Sequence, residues 1–521
     1  MINYVNNDLY TGMDSGKVPN PYTIINNNSF AYGIWEFELI SRKGSQLKII
    51  ALKNLHRKVV LDELVQLGFC KRISNTDKEL FIREDGNIIS EVTTKIIQDV
   101  FYNSVILGQN DDIKVSFEGI EQEFSAIELR KVYFNVFHLI FNDSFLLHLE
   151  THDKKVLRDE KNCSYFFFNN CIIKTTAQGI QTIDYNNIVD ECIWEDQIID
   201  YNFNQVSNME CHYSKFIFNV ANQEEDRVNS FKSAIGYLLH NHNRSTGGQC
   251  VILYDQAPAR KGQPEGGTGK GLFANAIKRL RVTAKIDGKK IRSEDKFKWQ
   301  SIQTTTQIIW IDDVHSKFSF EDLHSNLSDG WTIEKKHQPE IYIPAVDSPK
   351  VIIASNTVLS SSGTTNIRRQ FILEFSNHYS KHIITGNEEP VKNEHQCVFF
   401  DAQDWVNEWT RFYTYMLHCS VYYFKNGLVD YEKKGLIRNQ LLQNTCDDFV
   451  EWLDANSLLP DTEYNIKTLF EDYKSGYSDD SDIKQNMFSK WIKRYTDYSN
   501  LEYTSRSSSG TKFIKLVTKC K

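Results

Sequence analysis

The chain has 521 residues, with 60 Lys and Arg against 68 Asp and Glu, giving a formal net charge of −8 at pH 7. That length suits two to four domains at about 100–200 residues each, and the acidic balance excludes a basic protein that coats nucleic acid over its whole surface, while leaving room for a local basic channel. Ten cysteines without a C-x-x-C pair, and a start MINYVNNDLY that lacks a basic and an apolar signal region, lead to the expectation of a reduced, intracellular protein.

The first 110 residues alternate short β-like runs (GIWEFELI, QLKIIAL) with the charged helical stretch RKVVLDELVQLGF, which predicts an N-terminal α+β domain over 1–110. Residues 111–230 read as an adaptor or collar, helical in ELRKVYFNVFHLIF and strand-like in YFFFNNCIIKTTAQGIQTI. The longest greasy stretch, residues 132–141, is far short of the roughly 20 needed to cross a bilayer and is interrupted by Asn135 and His138, so no membrane span is expected. Cys163, Cys171, Cys192, Cys211 and His212 are too irregularly spaced for a zinc site and are expected to be ordinary buried groups. His152 and Asp153 are isolated. No carboxylate constellation for nucleotidyl transfer is recognisable in 1–230, so primase chemistry is not expected.

A core domain is predicted over 231–385. SFKSAIGYLLHNHN has helical periodicity and leads into CVILYD at 250–255, a run of the kind a buried parallel strand shows. Pro390 within GNEEPVKNEHQ marks a boundary near 385–395, and 386–438 reads as a helical linker or lid. The last segment, 439–521, is predicted as three helices (DDFVEWLDANSL, IKTLFEDYKSGY, QNMFSKWIKRYTDY) followed by two strands ending GTKFIKLV, an order that suits a winged helix. No internal repeat is visible.

Chemistry concentrates in the core. EGGTGKGLF at 265–273 follows a strand and opens a helix, the context in which a glycine-rich loop cradles phosphates through converging backbone N–H groups. Gly266, Gly267, Thr268, Gly269, Lys270 and Gly271 are the candidate nucleotide-binding residues, with Lys270 placed for the β- and γ-phosphates. The loop departs from the usual pattern at Pro264, where a Gly is wanted, and at Gly271, where a Ser or Thr would normally contact magnesium. QIIWIDDV at 307–314 delivers paired carboxylates at a strand end. Asp312 is the candidate magnesium ligand and Asp313 the candidate for orienting water. KVIIASN at 350–356 ends in Asn356, a candidate sensor of the γ-phosphate, and NIRRQFILEF presents Arg368 and Arg369 for a neighbouring subunit's nucleotide.

In this order and spacing, the motifs resemble those of superfamily 3 helicases, ring-forming AAA+ motors of viruses, phages and plasmids. The similarity spans roughly 230–380 and is most specific in SDGWTIEKKHQPEIYIPAVDSPKVIIASNT at 328–357. In that family the similar stretch carries a Lys–His pair on a hairpin that tracks single-stranded DNA, which corresponds to Lys336 and His337, with Lys335 adjacent. Arg369 matches the family's finger position better than Arg368. YFFFNNCIIKTTAQGI and IWEDQIIDYNF look like the region preceding the ATPase in primase-helicases of the poxvirus and phage type.

The resemblance implies an α/β AAA+ P-loop core of parallel strands flanked by helices. It also implies ATP and Mg2+ as cofactors, single-stranded and forked DNA as partners, a homo-hexamer, a possible primase or polymerase partner, and a cytoplasmic location in a bacterial or phage-infected cell. Two further readings stay open: an origin-binding initiator, and a nucleotide-gated DNA clamp without efficient hydrolysis.

Overall fold

The computed structural model describes residues 22–26, 29–41, 48–73, 79–108, 111–243, 248–256, 267–314, 318–336, 340–356, 368–380, 389–456, 458–477, 483–499, 501–508 and 511–518. The chain divides into two compact units, one of Met1–Lys155 with Asp190–Glu195, the other of Val156–Val189 with Asp196–Lys521.

In the first unit, Tyr22–Asn26, Ser29–Tyr32, Trp35–Ser41 and Lys48–Leu55 form an antiparallel sheet in sequential order. The alternation in WEFELIS turns Trp35, Phe37 and Leu39 into the core. The hairpin Ile113–Phe117/Ile120–Phe124 closes over the same core. Phe117 stacks on Phe30 at 4.1 Å between centroids and Phe124 lies 5.0 Å from Phe37. Helix Ala126–Val136, opened by a Ser125/Glu128 capping box, adds Leu129 and Tyr133.

This packing differs from the predicted boundary at 110. Residues 111–155 bury their apolar side chains among those of the first hundred, so the adaptor expected over 111–230 is split between the two units.

The second unit is built on helices α1 (His212–Val220) and α2 (Glu225–Leu239), strand β1 (Cys250–Asp255), helix α3 (Lys270–Lys278), and strands β2 (Thr283–Asp287) and β3 (Ile308–Asp312). The hairpin strands β4 (Gly330–Ile333) and β5 (Ile341–Pro344) follow, then β6 (Lys350–Ser355) and β7 (Gln370–Phe375). One five-stranded sheet runs β2-β3-β6-β1-β7 with every pair parallel. Its central strands β1 and β6 are buried at every position, as expected for strands covered on both faces.

Helices α4 (Pro390–His395) and α5 (Trp409–Asn426) come next, and α5 lies along α2. Gly236 makes that crossing possible, because a Cβ there would collide with the Cys419 carbonyl oxygen. The antiparallel meander Ser164–Phe168, Ile172–Thr176, Gly179–Ile183 also packs on α5, with Thr175 and Ser420 hydroxyls sharing a buried 2.8 Å hydrogen bond.

The C-terminal part comprises α6 (Lys434–Asn444), α7 (Asp447–Asn456), β8 (Glu463–Asn465), α8 (Ile466–Gly476), α9 (Gln485–Tyr498), β9 (Leu501–Ser508) and β10 (Thr511–Thr518), with sheet order β8-β10-β9. Phe449, Trp452, Tyr473, Phe488 and Trp491 form its core, to which Leu441 of α6 belongs as well. Among the described residues, no helix is long and apolar enough to cross a membrane.

Candidate nucleotide-binding site

The site is assembled at the carboxyl ends of β1, β6 and β3, where parallel strands deliver side chains to ligands. The chain leaves β1 at Asp255 and re-emerges at Gly267. Gly266 and Pro264 lie outside the described residues. Gly267 (φ 75°) and Gly269 (φ 103°) hold left-handed backbone that side-chain-bearing residues rarely adopt. At Gly269 a Cβ would also lie 2.6 Å from the Phe216 ring. The loop therefore turns tightly into α3, whose positive N-terminal end starts at Lys270.

Lys270 is 9% exposed, and its Nζ donates to Asp255 Oδ2 at 2.5 Å and to Asn356 Oδ1 at 2.7 Å. The Thr268 hydroxyl donates to the other oxygen of Asp255, also at 2.5 Å. Because β6 lies between β1 and β3, Asn356 stands between the loop lysine and the acidic strand end. There, Asp312 Oδ2 pairs with Lys285 Nζ at 2.8 Å and Asp313 Oδ2 with Lys289 Nζ at 2.5 Å. Asp313 itself has φ 54°, a conformation that Asp tolerates better than most residues.

Gly267 to Leu272, Asp312, Asp313, Ala354 and Asn356 line one cavity of about 670 Å3. Its volume falls in the range of small-molecule and cofactor sites. The sequence-predicted loop, acids and sensor are thus brought together in one place.

Three parts of this site escaped the sequence reading. Asp255, the buried partner of both Lys270 and Thr268, was visible only as the last letter of an apolar run. The far wall of the cavity comes from Glu389 to Lys392 and Cys397 to Phe399, in and just after α4, at the start of the stretch read as a helical linker or lid after a boundary near 385–395. This wall is held by a buried network in which His395 Nε2 meets the Tyr379 hydroxyl at 2.7 Å and Asn219 Nδ2 donates to Glu394 Oε1 at 2.8 Å. Burial pulls the His395 imidazole down to about 4.

The third part is α6, which grips the root of the loop. Asn439, 2% exposed, donates from Nδ2 to the carbonyls of Asp255 (3.4 Å) and Gln256 (3.2 Å). Glu374, buried in β7 and pushed up by that burial, accepts from the Leu436 backbone N–H. Arg227 bridges Gln256 Oε1 and the Glu374 carbonyl.

Magnesium suits the donors present. Asp312 and Asp313 offer hard carboxylate oxygens at the cavity, and magnesium is commonly held by one or two carboxylates plus substrate phosphates. Among the described residues, no cluster of three or more His, Cys, Asp or Glu side chains could hold a metal by itself. At Gly271 a Cβ would meet nothing within 4 Å, which leaves room for water where a hydroxyl would usually stand.

Arg368 and Arg369 lie elsewhere. The Arg369 carbonyl accepts from Cys250 N at 2.8 Å, at the amino ends of β1 and β7, about 17 Å along the strands from Asp255. Both arginines line a separate cleft of about 840 Å3 with Lys161, His240 and His242. Within one chain they do not meet the cavity lined by Lys270, Asp312 and Asn356.

The candidate DNA lysines sit at the tip of the β4–β5 hairpin, with Lys335 half-buried and Lys336 exposed; His337 lies outside the described residues. The hairpin is rooted by fully buried Trp331, edge-on to Trp299 at 5.0 Å. Lys336 Nζ lies 5.8 Å from the Phe297 ring centroid, so the β2–β3 loop brings an aromatic side chain to the same tip.

No family model matches the chain, and no curated protein matches it. Among solved structures, the apo A form of the NrS-1 C-terminal region aligns over 88% of this chain and 99% of that one, at 13% identity and a TM-score of 0.40. A second apo structure of that region aligns at 13% identity over 88% and 98%, with a TM-score of 0.37. A JCV helicase structure aligns over 47% and 65%, at 12% identity and a TM-score of 0.24. Superpositions this loose leave the site to be argued from its own geometry.

Proposed function

We propose that the chain is an ATP-dependent DNA helicase of the superfamily 3 type, working as a ring on single-stranded or forked DNA. The observation that carries this reading is the convergence of Lys270, Asn356, Asp312 and Asp313 on one cavity at the carboxyl edge of a parallel sheet.

On this reading Lys270 and the N-terminal end of α3 bind the phosphates, and Lys270 exchanges Asp255 for them. Asp312 holds magnesium, which supplies positive charge against the phosphate oxygens. Asn356 and Asp313 orient water. The position of Arg369 at the opposite sheet edge supports a head-to-tail ring, in which one subunit's arginine would serve the next subunit's cavity. Lys336, Lys335 and His337 on the hairpin, with Phe297 beside them, grip the DNA backbone and stack on its bases. Six subunits and a primase or polymerase partner are what the resemblance implies.

The test is steady-state ATP hydrolysis with magnesium, with and without single-stranded DNA, for the wild type and Lys270→Ala. DNA-stimulated turnover that disappears in the variant supports a motor. The clamp reading is favoured by one observation, the lysines already seated on Asp312 and Asp313 beside a loop that lacks its hydroxyl. ATP binding without turnover on a ring assembled on DNA would establish that reading instead.

A further inference from the structure

The C-terminal elements segregate charge. From Asp447 to Glu463, through α7 into β8, there are six acidic residues and no Lys or Arg. From Lys484 to Thr518, through α9 and the β9–β10 hairpin, there are seven Lys and Arg against Asp497 and Glu502. Arg506 and Lys515 pair with Glu463 and Asp461 of the acidic stretch, so the positive field on one face comes from the other five, Lys484, Lys490, Lys493, Arg494 and Lys512, although the chain as a whole is acidic.

Helix α9 explains how that face is presented. Phe488, Trp491 and Ile492 turn inward to the core, which directs Asn486, Lys490, Lys493 and Arg494 to solvent at i, i+4, i+7 and i+8. Lys484 is exposed just before the helix. Among the described residues Lys484, Lys490, Lys493 and Lys512 have no carboxylate partner, whereas Arg494 is held by the Asn444 carbonyl.

The hairpin packed beside α9 adds a second element. Thr504 to Ser508 are all exposed, and Lys512 stands opposite Ser507 in register. Arg506 is braced by two 2.6 Å bonds to Glu463. Arg506 is thus already occupied, and it is the exposed hydroxyls beside Lys512, which has no carboxylate partner among the described residues, that are the groups suited to contact a phosphodiester backbone.

We propose that α9 and the β9–β10 hairpin form a duplex-DNA-binding surface, with α9 entering the major groove and Lys512 and its neighbouring hydroxyls resting on the flanking backbone. A helix of this length, bearing Asn486 and Lys490 on its exposed face, suits the groove's width, and the element order helix–strand–helix–helix–hairpin is that of a winged helix. This surface is separate from the single-strand hairpin and does not depend on nucleotide turnover.

The test is fluorescence anisotropy of a short blunt-ended duplex with the full chain, without nucleotide, over a series of salt concentrations. The comparison is the wild type, a Lys490→Gln/Lys493→Gln/Lys512→Gln variant, and an Asp447→Asn/Asp448→Asn/Glu451→Gln variant. The lysine variant should bind at least about tenfold more weakly at low salt, with a log–log salt slope shallower by about 0.9 for each phosphate that is no longer neutralised. The acidic-helix variant should match the wild type, or gain far less than the lysine variant loses, and thermal unfolding reports whether either variant is misfolded.

Equal affinity and slope in wild type and lysine variant overturn the proposal. So do equal and opposite shifts in the two variants, which would mean net charge alone is being read. Absence of duplex binding by the wild type, with the same lysines needed for association with a second protein, would reassign the face to a protein interface. An inactive ATPase that still binds duplex through these lysines would refute the motor and leave this surface standing.

Discussion

Lys270 and Asp255 form a buried ion pair, Nζ to Oδ2 2.5 Å, at the point where the central strand gives way to the glycine-rich loop. Both side chains are about nine-tenths buried. The carboxylate is shared with Thr268, so one residue orients two members of the candidate phosphate site.

Removing one partner of a buried pair costs about 3–5 kcal/mol. Asp255→Asn should therefore lower the denaturation midpoint clearly, and saturating ATP should restore part of the loss, because phosphates supply the missing negative charge. A midpoint that ATP cannot raise would mean Lys270 does not face the nucleotide.

Gly271→Ser should fold as well as the wild type, since its Cβ enters open space. The added hydroxyl should shift the magnesium requirement of nucleotide binding to lower concentrations. Titration of magnesium at fixed ATP in the two proteins reads this directly, and an unchanged midpoint would place the metal away from the helix start.

Asn439→Ala strands two carbonyls at the loop root and should cost about 1–3 kcal/mol. Its ATP affinity should fall as well, because the loop's exit from β1 loses its clamp. Calorimetric binding with Asn439→Ala and with the nearby surface control Asp454→Ala separates the clamp from a general loss of stability.

Burial pulls His395 down to about 4 and His240 to about 3, both below the ordinary value near 6.5. The unfolded chain thus takes up protons that the folded chain refuses as pH falls from about 6.5 toward those values. The contribution of these two histidines should be level above pH 7 and should drop on acidification by up to about 1.4 kcal/mol per unit for each. Urea midpoints at a series of pH values check this, and His395→Gln should flatten the slope.

Phe297→Ala should weaken binding to single-stranded DNA by about 1–3 kcal/mol if a base stacks on the ring beside Lys336. Duplex binding through α9 should be unaffected. Anisotropy with both probes distinguishes loss of stacking from loss of fold.

Local patterns were legible because they depend on neighbours in the chain. CVILYD, QIIWIDDV, KVIIASN and NIRRQFILEF are apolar runs punctuated by polar ends, and each became a strand of one parallel sheet. The three C-terminal helices were likewise readable from their apolar spacing, and they occupy the expected stretches. The glycines and lysine of the loop, the paired acids and Asn356 could all be named from residue type and order alone.

The long-range relations could not. Nothing in the periodicity of β1 says that β6 will pair with it, and that strand order alone seats Asn356 between Lys270 and the acids. The same order sends Arg369 to the amino edge. Asp255 drew no notice because a carboxylate ending a strand acquires meaning only from the cation it meets, fifteen residues later in sequence but 2.5 Å away in space. The domain boundary moved from 110 to about 155 because Phe117 and Phe124 find their partners in Phe30 and Phe37, a matter of packing. Sequence thus determined which segments become strands and helices and which residue types could bind phosphate. Tertiary structure decided which of them meet, because pairings across a sheet are set by burial and hydrogen bonding between segments that have no local knowledge of one another.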